Sequence, residues 1–147
     1  MSGVHAEAMD LAQIRAVIDA RVNAVQAKDA AGVLAHHALE FVHFSLAPPL
    51  IGAKPDSANL EAWFASWDGA ITYRLRDLQI AASGDVAYCH GLAHLAGMLR
   101  GGTRSETWFR VTLGLRKRGG RWVVVHEHES VPFLMDGSYK AAVDLKP

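Results

Sequence analysis

The stretch Trp122-Val-Val-Val-His-Glu-His-Glu-Ser-Val-Pro132 carries the strongest structural signal in the chain. It begins as an apolar β-strand and continues as an alternation of two imidazoles with two carboxylates. Because side chains on a strand point alternately to opposite faces, His126 and His128 are expected on one face of a sheet and Glu127 and Glu129 on the other. The functional question is which pair faces the interior.

The hairpin that precedes this stretch allows two answers. A two-residue turn at residues 119–120 pairs Arg110 with Glu129, whereas a three-residue turn pairs Arg110 with His128. In the second register both carboxylates share a face with three apolar residues, Phe109, Val111 and Leu113. The sequence leaves both registers open. Burial among apolar side chains would raise the pKa of a glutamate, which suits a general acid or base near neutral pH.

Before this hairpin, segments whose apolar residues recur with helical periodicity are followed by segments with the periodicity of a strand. Asp10 is expected to cap a first helix from Leu11 to about residue 28, with Arg21 among the residues on its polar side. A second helix is predicted over 30–38 and a third over 58–67, capped by Asp56 or Ser57. Strands are predicted over 39–45, 71–81, 86–99, 105–118 and 121–131.

This order predicts an α+β fold in a single domain spanning residues 1–147, with its core over about 10–135. Three helices precede a long antiparallel sheet and are expected to pack on one of its faces. Strands of this length twist, so the sheet should curve around the helices into a cone with one open mouth.

Composition narrows the class of partner. Fifteen basic and fifteen acidic side chains balance, which leaves no charge excess to attract nucleic acid. The single cysteine, Cys89, is compatible with a reducing compartment. The chain shows no secretory signal pattern and no apolar run of the roughly 18 residues that span a membrane. We therefore expect a cytoplasmic protein with neither a nucleic-acid nor a membrane partner.

The chain resembles the SnoaL-like and ketosteroid-isomerase-like branch of the nuclear transport factor 2-like superfamily. The resemblance runs from about residue 10 to residue 135 and is strongest in the last two strands. The residues that carry it are Lys28-Asp29, Phe41-Val-His-Phe-Ser45, Pro49-Leu-Ile-Gly52, Trp67-Asp68-Gly69, the segment 108–117 and the terminal W-x-x-x-H-x-H-x-S-x-P pattern at 122–132. That pattern is also similar to the end of the calmodulin-dependent kinase association domain, which is not an enzyme.

The resemblance implies a cone-shaped nuclear transport factor 2-like fold and assigns candidate site residues. An acidic residue of SnoaL-type cyclases falls at the position of Glu127, and pocket-lining residues of related proteins fall at Glu129. Isomerases of the family keep a catalytic aspartate close to the position of Ser45. Because a serine is not a base, a true ketosteroid isomerase mechanism is not expected. His43 shares a strand face with Ser45 and could substitute as a base, since imidazole has a pKa near about 6.5.

These residues predict a pocket for an apolar small molecule in a homodimer. Glu127 and His43 are the candidate catalytic groups, and the predicted ligand-binding residues are Glu129, Ser45, Phe109, Val111, Leu113 and Trp63. No cofactor is predicted. A metal site at His126 and His128 is not predicted either, because it would need further ligands; the two rings are expected to bond Arg110, Thr112 or Ser130 on the outer sheet face. The functional alternatives are cofactor-independent acid/base isomerisation, cyclisation or hydration of a polyketide- or steroid-like ligand, and a non-catalytic ligand-binding or oligomerisation module.

Overall fold

The computed structural model describes residues 2–147 and contains three helices and five strands in that range. In chain order the elements are α1 (Ser2–Gln26), α2 (Ala30–Leu34), β1 (His37–Phe44), α3 (Ser57–Ala65), β2 (Trp67–Ser83), β3 (Val86–Leu99), β4 (Arg104–Arg118) and β5 (Arg121–Ser130). The strands form one sheet in the order β1-β5-β4-β3-β2. The α+β prediction is confirmed.

The sheet is mixed, because one of its pairings is parallel. Strands β2 to β5 form consecutive antiparallel hairpins, as the period-two patterns predicted. Strand β1 lies at the edge and pairs with β5 in parallel, so that His43 neighbours Glu127. This return of β1 to the last strand places residues 84 positions apart in sequence on one surface.

Helix α1 differs most from its prediction, since it begins at Ser2 and continues past Asp10 without a break. Asp10 is therefore not an N-cap. Its carboxylate accepts hydrogen bonds from Lys117 Nζ at 2.9 Å and from Trp122 Nε1 at 3.1 Å, which joins the helix to the β4–β5 hairpin. Asp10, although of a residue type common at helix N-caps, thus makes a tertiary contact from the interior of the helix.

Helices α2 and α3 are shorter than predicted, because the residues after them are taken up by strands. Asp29 caps α2 by accepting from the Gly32 amide, and Asp56 caps α3 by accepting from the Asn59 amide. His37 then pairs with Val124, and Trp67 begins β2. Pairing with the sheet ends each helix two to four residues before its predicted boundary.

The core lies between α1 and the inner face of the sheet. Ile14 and Ile18 of α1 are fully buried against Leu113, Leu115 and Val124. A second cluster packs α2 and α3 against the start of β2 through Ala24, Ala30, Val33, Phe64, Trp67 and Ile71. No helix within residues 2–147 is long and apolar enough to cross a membrane.

Candidate functional site

A cavity of about 590 Å³ opens between α1, β1, α3 and the inner face of the sheet. Its volume is that of an ordinary small-molecule site, and its walls are mostly apolar. All eight predicted site residues line it: His43, Ser45, Trp63, Phe109, Val111, Leu113, Glu127 and Glu129. The structure therefore brings the eight residues together around one cavity, while the chemistry of its polar end differs from prediction.

The face of β5 that carries Glu127 and Glu129 points inward. The strand pairing that achieves this is neither of the two predicted registers. Gly119 and Gly120 have φ of 54° and 77°, and Arg118 pairs with Arg121 across a two-residue turn. Further along, Leu115 pairs with Val124 while Gly114 pairs with His126, which leaves Val125 as an extra residue. This β-bulge reverses the alternation beyond it. The inference that turn length sets the facing of the glutamates was wrong: the bulge sets it.

The polar end of the cavity is organised by Arg21, which the sequence reading assigned to the exposed side of the first helix. Arg21 is only 9% exposed. Its Nη2 donates to Glu127 Oε2 at 2.7 Å and lies 2.9 Å from His37 Nε2. The sequence does indicate that Arg21 is buried, because Arg21 follows Ile14 and Ile18 at i+7 and i+3 spacing and so shares their face of the helix. A charged residue on the apolar stripe of a helix points to a buried partner.

The predicted rise in the pKa of Glu127 is wrong. Burial acts to raise that pKa, but the charge of Arg21, the charge of His43 and the hydrogen bond from Arg21 together lower it to about 2. Glu127 is only 6% exposed, and its lowered pKa favours the ionised form. It is thus a fixed anion at neutral pH and a poor proton carrier there.

Glu129 and His43 form the titratable part of the site. His43 Nε2 lies 3.3 Å from Glu129 Oε1. Burial raises the pKa of Glu129 and the negative charge of Glu127 adds to that rise, outweighing the hydrogen bond with His43. Burial acts to lower the pKa of His43, but the bond to Glu129 and the charge of Glu127 raise it. The two groups thus form a hydrogen-bonded pair at the cavity wall in which both pKa values are raised.

Two further side chains complete this end of the cavity. Burial and the neighbouring carboxylates raise the pKa of Tyr73, so its phenol stays protonated and can donate a hydrogen bond. Burial and the charge of Arg21 lower the pKa of His37 to about 4, so its ring is neutral. His37 stacks on Phe41 with ring centroids 3.9 Å apart, which fixes its orientation. Neither His37 nor Tyr73 was among the site residues predicted from the sequence.

His43, Glu127 and Glu129 each offer a donor atom of a kind that can bind a metal ion, and these three atoms lie within 4.8 Å of one another. An imidazole and two carboxylates are suitable donors for a divalent transition metal. Here Arg21 already bonds one oxygen of Glu127, and His43 bonds Glu129. One oxygen of each carboxylate and one ring nitrogen of His43 are thus already engaged by protein groups.

His126 and His128 lie on the outer face of the sheet, but with other partners than expected. His126 Nδ1 lies 2.8 Å from the Val42 carbonyl oxygen. Both rings meet Phe44 edge to face, with centroids 4.8 and 5.3 Å away. Arg110 donates to Ser130 at 3.1 Å rather than to either imidazole. The two histidines pack against β1 because β1 lies beside β5 in the sheet. This neighbour was not predicted from the sequence.

Comparison with known proteins places this geometry in a family. Residues 14–134 match the SnoaL-like domain. A nuclear transport factor 2-like protein of unknown function from Pseudomonas putida is 32% identical, with 99% of each chain covered and a TM-score of 0.80. No curated protein matches the sequence.

Two more distant structures share the fold alone. A candidate ketosteroid isomerase from Shewanella frigidimarina is 24% identical, with 78% of this chain and 91% of that chain covered and a TM-score of 0.63. A candidate dehydratase of the same superfamily from Streptomyces avermitilis is 14% identical, with 84% and 97% covered and a TM-score of 0.73. The predicted resemblance is confirmed, and the chain belongs to the SnoaL-like family of the nuclear transport factor 2-like superfamily.

Proposed function

We propose that this protein is a cofactor-independent acid/base enzyme that isomerises or dehydrates a mostly apolar carbonyl compound. The observation that carries the proposal is the His43–Glu129 pair, 3.3 Å apart at the polar end of an apolar cavity. A titratable pair with perturbed pKa values inside a concave apolar site is a recognised mark of acid/base catalysis. The candidate isomerase and dehydratase among its structural neighbours agree with this reaction class.

The reaction begins when the neutral form of the His43–Glu129 pair removes a proton from the carbon next to the substrate carbonyl. The electron pair moves onto the carbonyl oxygen, and the Tyr73 phenol in the same cavity donates a hydrogen bond to that oxyanion. In an isomerisation the pair returns the proton to the γ-carbon and the double bond shifts. In a dehydration the pair protonates the β-hydroxyl, which leaves as water. Neither reaction changes the oxidation state of the protein.

Glu127 has a revised role in this scheme. It was predicted as the proton carrier, but its pKa of about 2 and its ion pair with Arg21 favour a constant negative charge. That charge stabilises the protonated form of His43 after it has taken the substrate proton. Glu127 therefore acts on the imidazole, and His43 with Glu129 acts on the substrate.

Both reactions yield a conjugated enone, so one ultraviolet absorbance assay tests them. An apolar cyclic β,γ-unsaturated ketone and the matching β-hydroxy ketone serve as substrates. Wild type is expected to accelerate at least one, and His43→Gln and Glu129→Gln are each expected to lose about 100-fold or more, the usual contribution of general acid–base catalysis. His128→Gln, on the outer face of the same sheet, is the matched control. A wild-type rate equal to the His43→Gln rate would contradict the proposal.

The alternative function is a non-catalytic ligand-binding module. It is favoured by Ser45, whose hydroxyl donates to the Ala47 carbonyl at 3.0 Å and is not a base. In that case apolar ketones bind in the cavity without turnover. Binding that is equal in wild type and His43→Gln, with no enone formed by either, would support this module over the enzyme.

We also propose that the protein is a cytoplasmic homodimer that associates through the outer sheet face. This face carries Tyr88, His90, Arg110, Thr112, His126 and His128. Tyr88 lies on β3, an inner strand of the sheet, and is 55% exposed, so an aromatic side chain is open to a contact on this face. A two-fold dimer would bury the same patch on both subunits. The buried, unpaired thiol of Cys89 is compatible with a reducing cytoplasm.

A further inference from the structure

The buried end of the cavity holds two carboxylates on one strand face. Glu127 and Glu129 are two residues apart on β5, so their side chains point the same way. Two carboxylates that share a desolvated site do not readily ionise together, and one of them retains a proton. What selects the ionised carboxylate is the distribution of positive charge around the pair.

That distribution is asymmetric. The Arg21 guanidinium reaches from α1 to Glu127 Oε2 at 2.7 Å, and Glu129 instead lies 3.3 Å from His43 Nε2. A guanidinium keeps its charge throughout the accessible pH range, whereas an imidazole gains and loses its charge near neutrality. One carboxylate is therefore beside a permanent cation and the other beside a titratable one.

The guanidinium is held in place from a second side. His37 Nε2 lies 2.9 Å from the same Nη2 that bonds Glu127, and as a neutral ring it accepts from Arg21. Elements α1, β1 and β5 thus meet at one nitrogen atom. This fixes Arg21 at Glu127 and away from the neighbouring pair.

We propose that Arg21 is a positioning residue, which holds Glu127 as a permanent anion and so confines the exchangeable proton of the site to the His43–Glu129 pair. Its catalytic meaning rests on the proposed function, because a confined proton matters only where a proton is transferred. Without Arg21, the proton would be distributed over Glu127, Glu129 and His43. The charged or titratable groups that face this pair are Arg21 from α1, His37 from β1, Tyr73 from β2 and Glu127 from β5.

The test needs no substrate. Glutamate carboxyl and histidine ring resonances of ¹³C-labelled protein are followed between pH 4 and 8, and are assigned with Glu127→Gln, Glu129→Gln and His43→Gln. In wild type the Glu127 resonance is expected to stay constant while Glu129 and His43 titrate. In Arg21→Gln, Glu127 is expected to join the titration and the His43 midpoint to rise by about one pH unit or more, because a nearby charge of the same sign as the imidazolium has been removed.

Two further variants separate charge from structure. Arg21→Lys keeps a cation beside Glu127 and is expected to restore most of the wild-type titration. Arg15→Gln, at an exposed position on the same helix, is expected to leave it unchanged. The proposal is overturned if Glu127 titrates together with Glu129 in wild type, or if a folded Arg21→Gln protein keeps the wild-type midpoints. Should Arg21→Gln fail to fold, the wild-type titration alone decides.

The outcome is independent of the enone assay. A constant Glu127 resonance with no turnover would remove the proposed function and leave the positioning role of Arg21 intact. Turnover in a protein whose two glutamates titrate together would do the reverse.

Discussion

Leu113 of β4 lies opposite Glu127 of β5, although the two-residue turn of this hairpin would by itself place Leu113 opposite His126. The difference is the single extra residue Val125, which turns the carboxylates toward the cavity and the imidazoles away from it. The bulge lies where the apolar part of β5 gives way to the alternating histidines and glutamates, since Trp122 and Val124 before it also face the core. The polar end of the pocket thus depends on one irregular backbone position.

Deleting Val125 should reverse the facing of every residue after it on β5. The carboxylates would move to the outer face, and Arg21 would remain buried without its anion. Removal of one partner from a buried ion pair costs about 3–5 kcal/mol of stability, and we expect at least that loss in the free energy of unfolding. Urea unfolding measures it.

Val125→Ala is the matched control for this deletion, because it removes a half-buried side chain but keeps the residue count. We expect a cost of about 1 kcal/mol for Val125→Ala. Equal unfolding free energies for the two variants would show that the bulge does not set the facing.

The Arg21–Glu127 ion pair should show strong coupling in a double-mutant cycle. Glu127→Leu leaves an uncompensated buried guanidinium, so we expect a loss of about 3–5 kcal/mol, whereas the double variant Arg21→Met/Glu127→Leu should recover most of it. Chemical denaturation of the four proteins supplies the coupling energy. Arg15→Met on the exposed side of α1 controls for the change of residue type. Additive single-site costs would argue against the pair.

His37 should make the protein less stable as the pH falls from 6.5 to about 4. Burial and the Arg21 charge lower the pKa of His37 to about 4 in the folded state, below the ordinary value of 6.5. Between these values the unfolded chain binds the proton more readily, so stability that is fully present above pH 6.5 is lost as the pH approaches 4. Urea midpoints across this range should decline less in His37→Gln, whose amide oxygen can still accept from Arg21. Parallel curves for the two proteins would refute this origin of the pH dependence.

Self-association should depend on the outer sheet face and not on the cavity. Arg110→Ala and His128→Ala are expected to weaken a dimer more than they weaken ligand binding, because both positions are exposed on that face. Sedimentation velocity at micromolar concentration measures the first effect and ligand titration the second. Glu129→Gln, inside the cavity, is expected to show the opposite pattern. A wild-type monomer at these concentrations would rule out the proposed dimer.

Local pattern was sufficient to predict most of the sheet. The bounds of β3 match prediction at both ends, and those of β4 and β5 differ from it by one residue at one end each, because alternation and glycine turns are properties of contiguous sequence. The pocket walls were also predictable, since Phe109, Val111 and Leu113 form an apolar strand face. The parallel pairing of β1 with β5 was not predictable, because the sequence around either strand contains no pattern that identifies a pairing partner 84 residues away.

Strand alternation alone places Glu127 and Glu129 on one face and His126 and His128 on the other. Helical periods followed by strand periods likewise identify the α+β class. The inward facing of the glutamates and the ionised state of Glu127, in contrast, follow only from the folded chain. The first depends on a bulge within a paired strand, and the second on a guanidinium brought by a helix 106 residues earlier in the chain. Both are relations between distant segments, and the charge state of a buried carboxylate follows from what the fold places beside it.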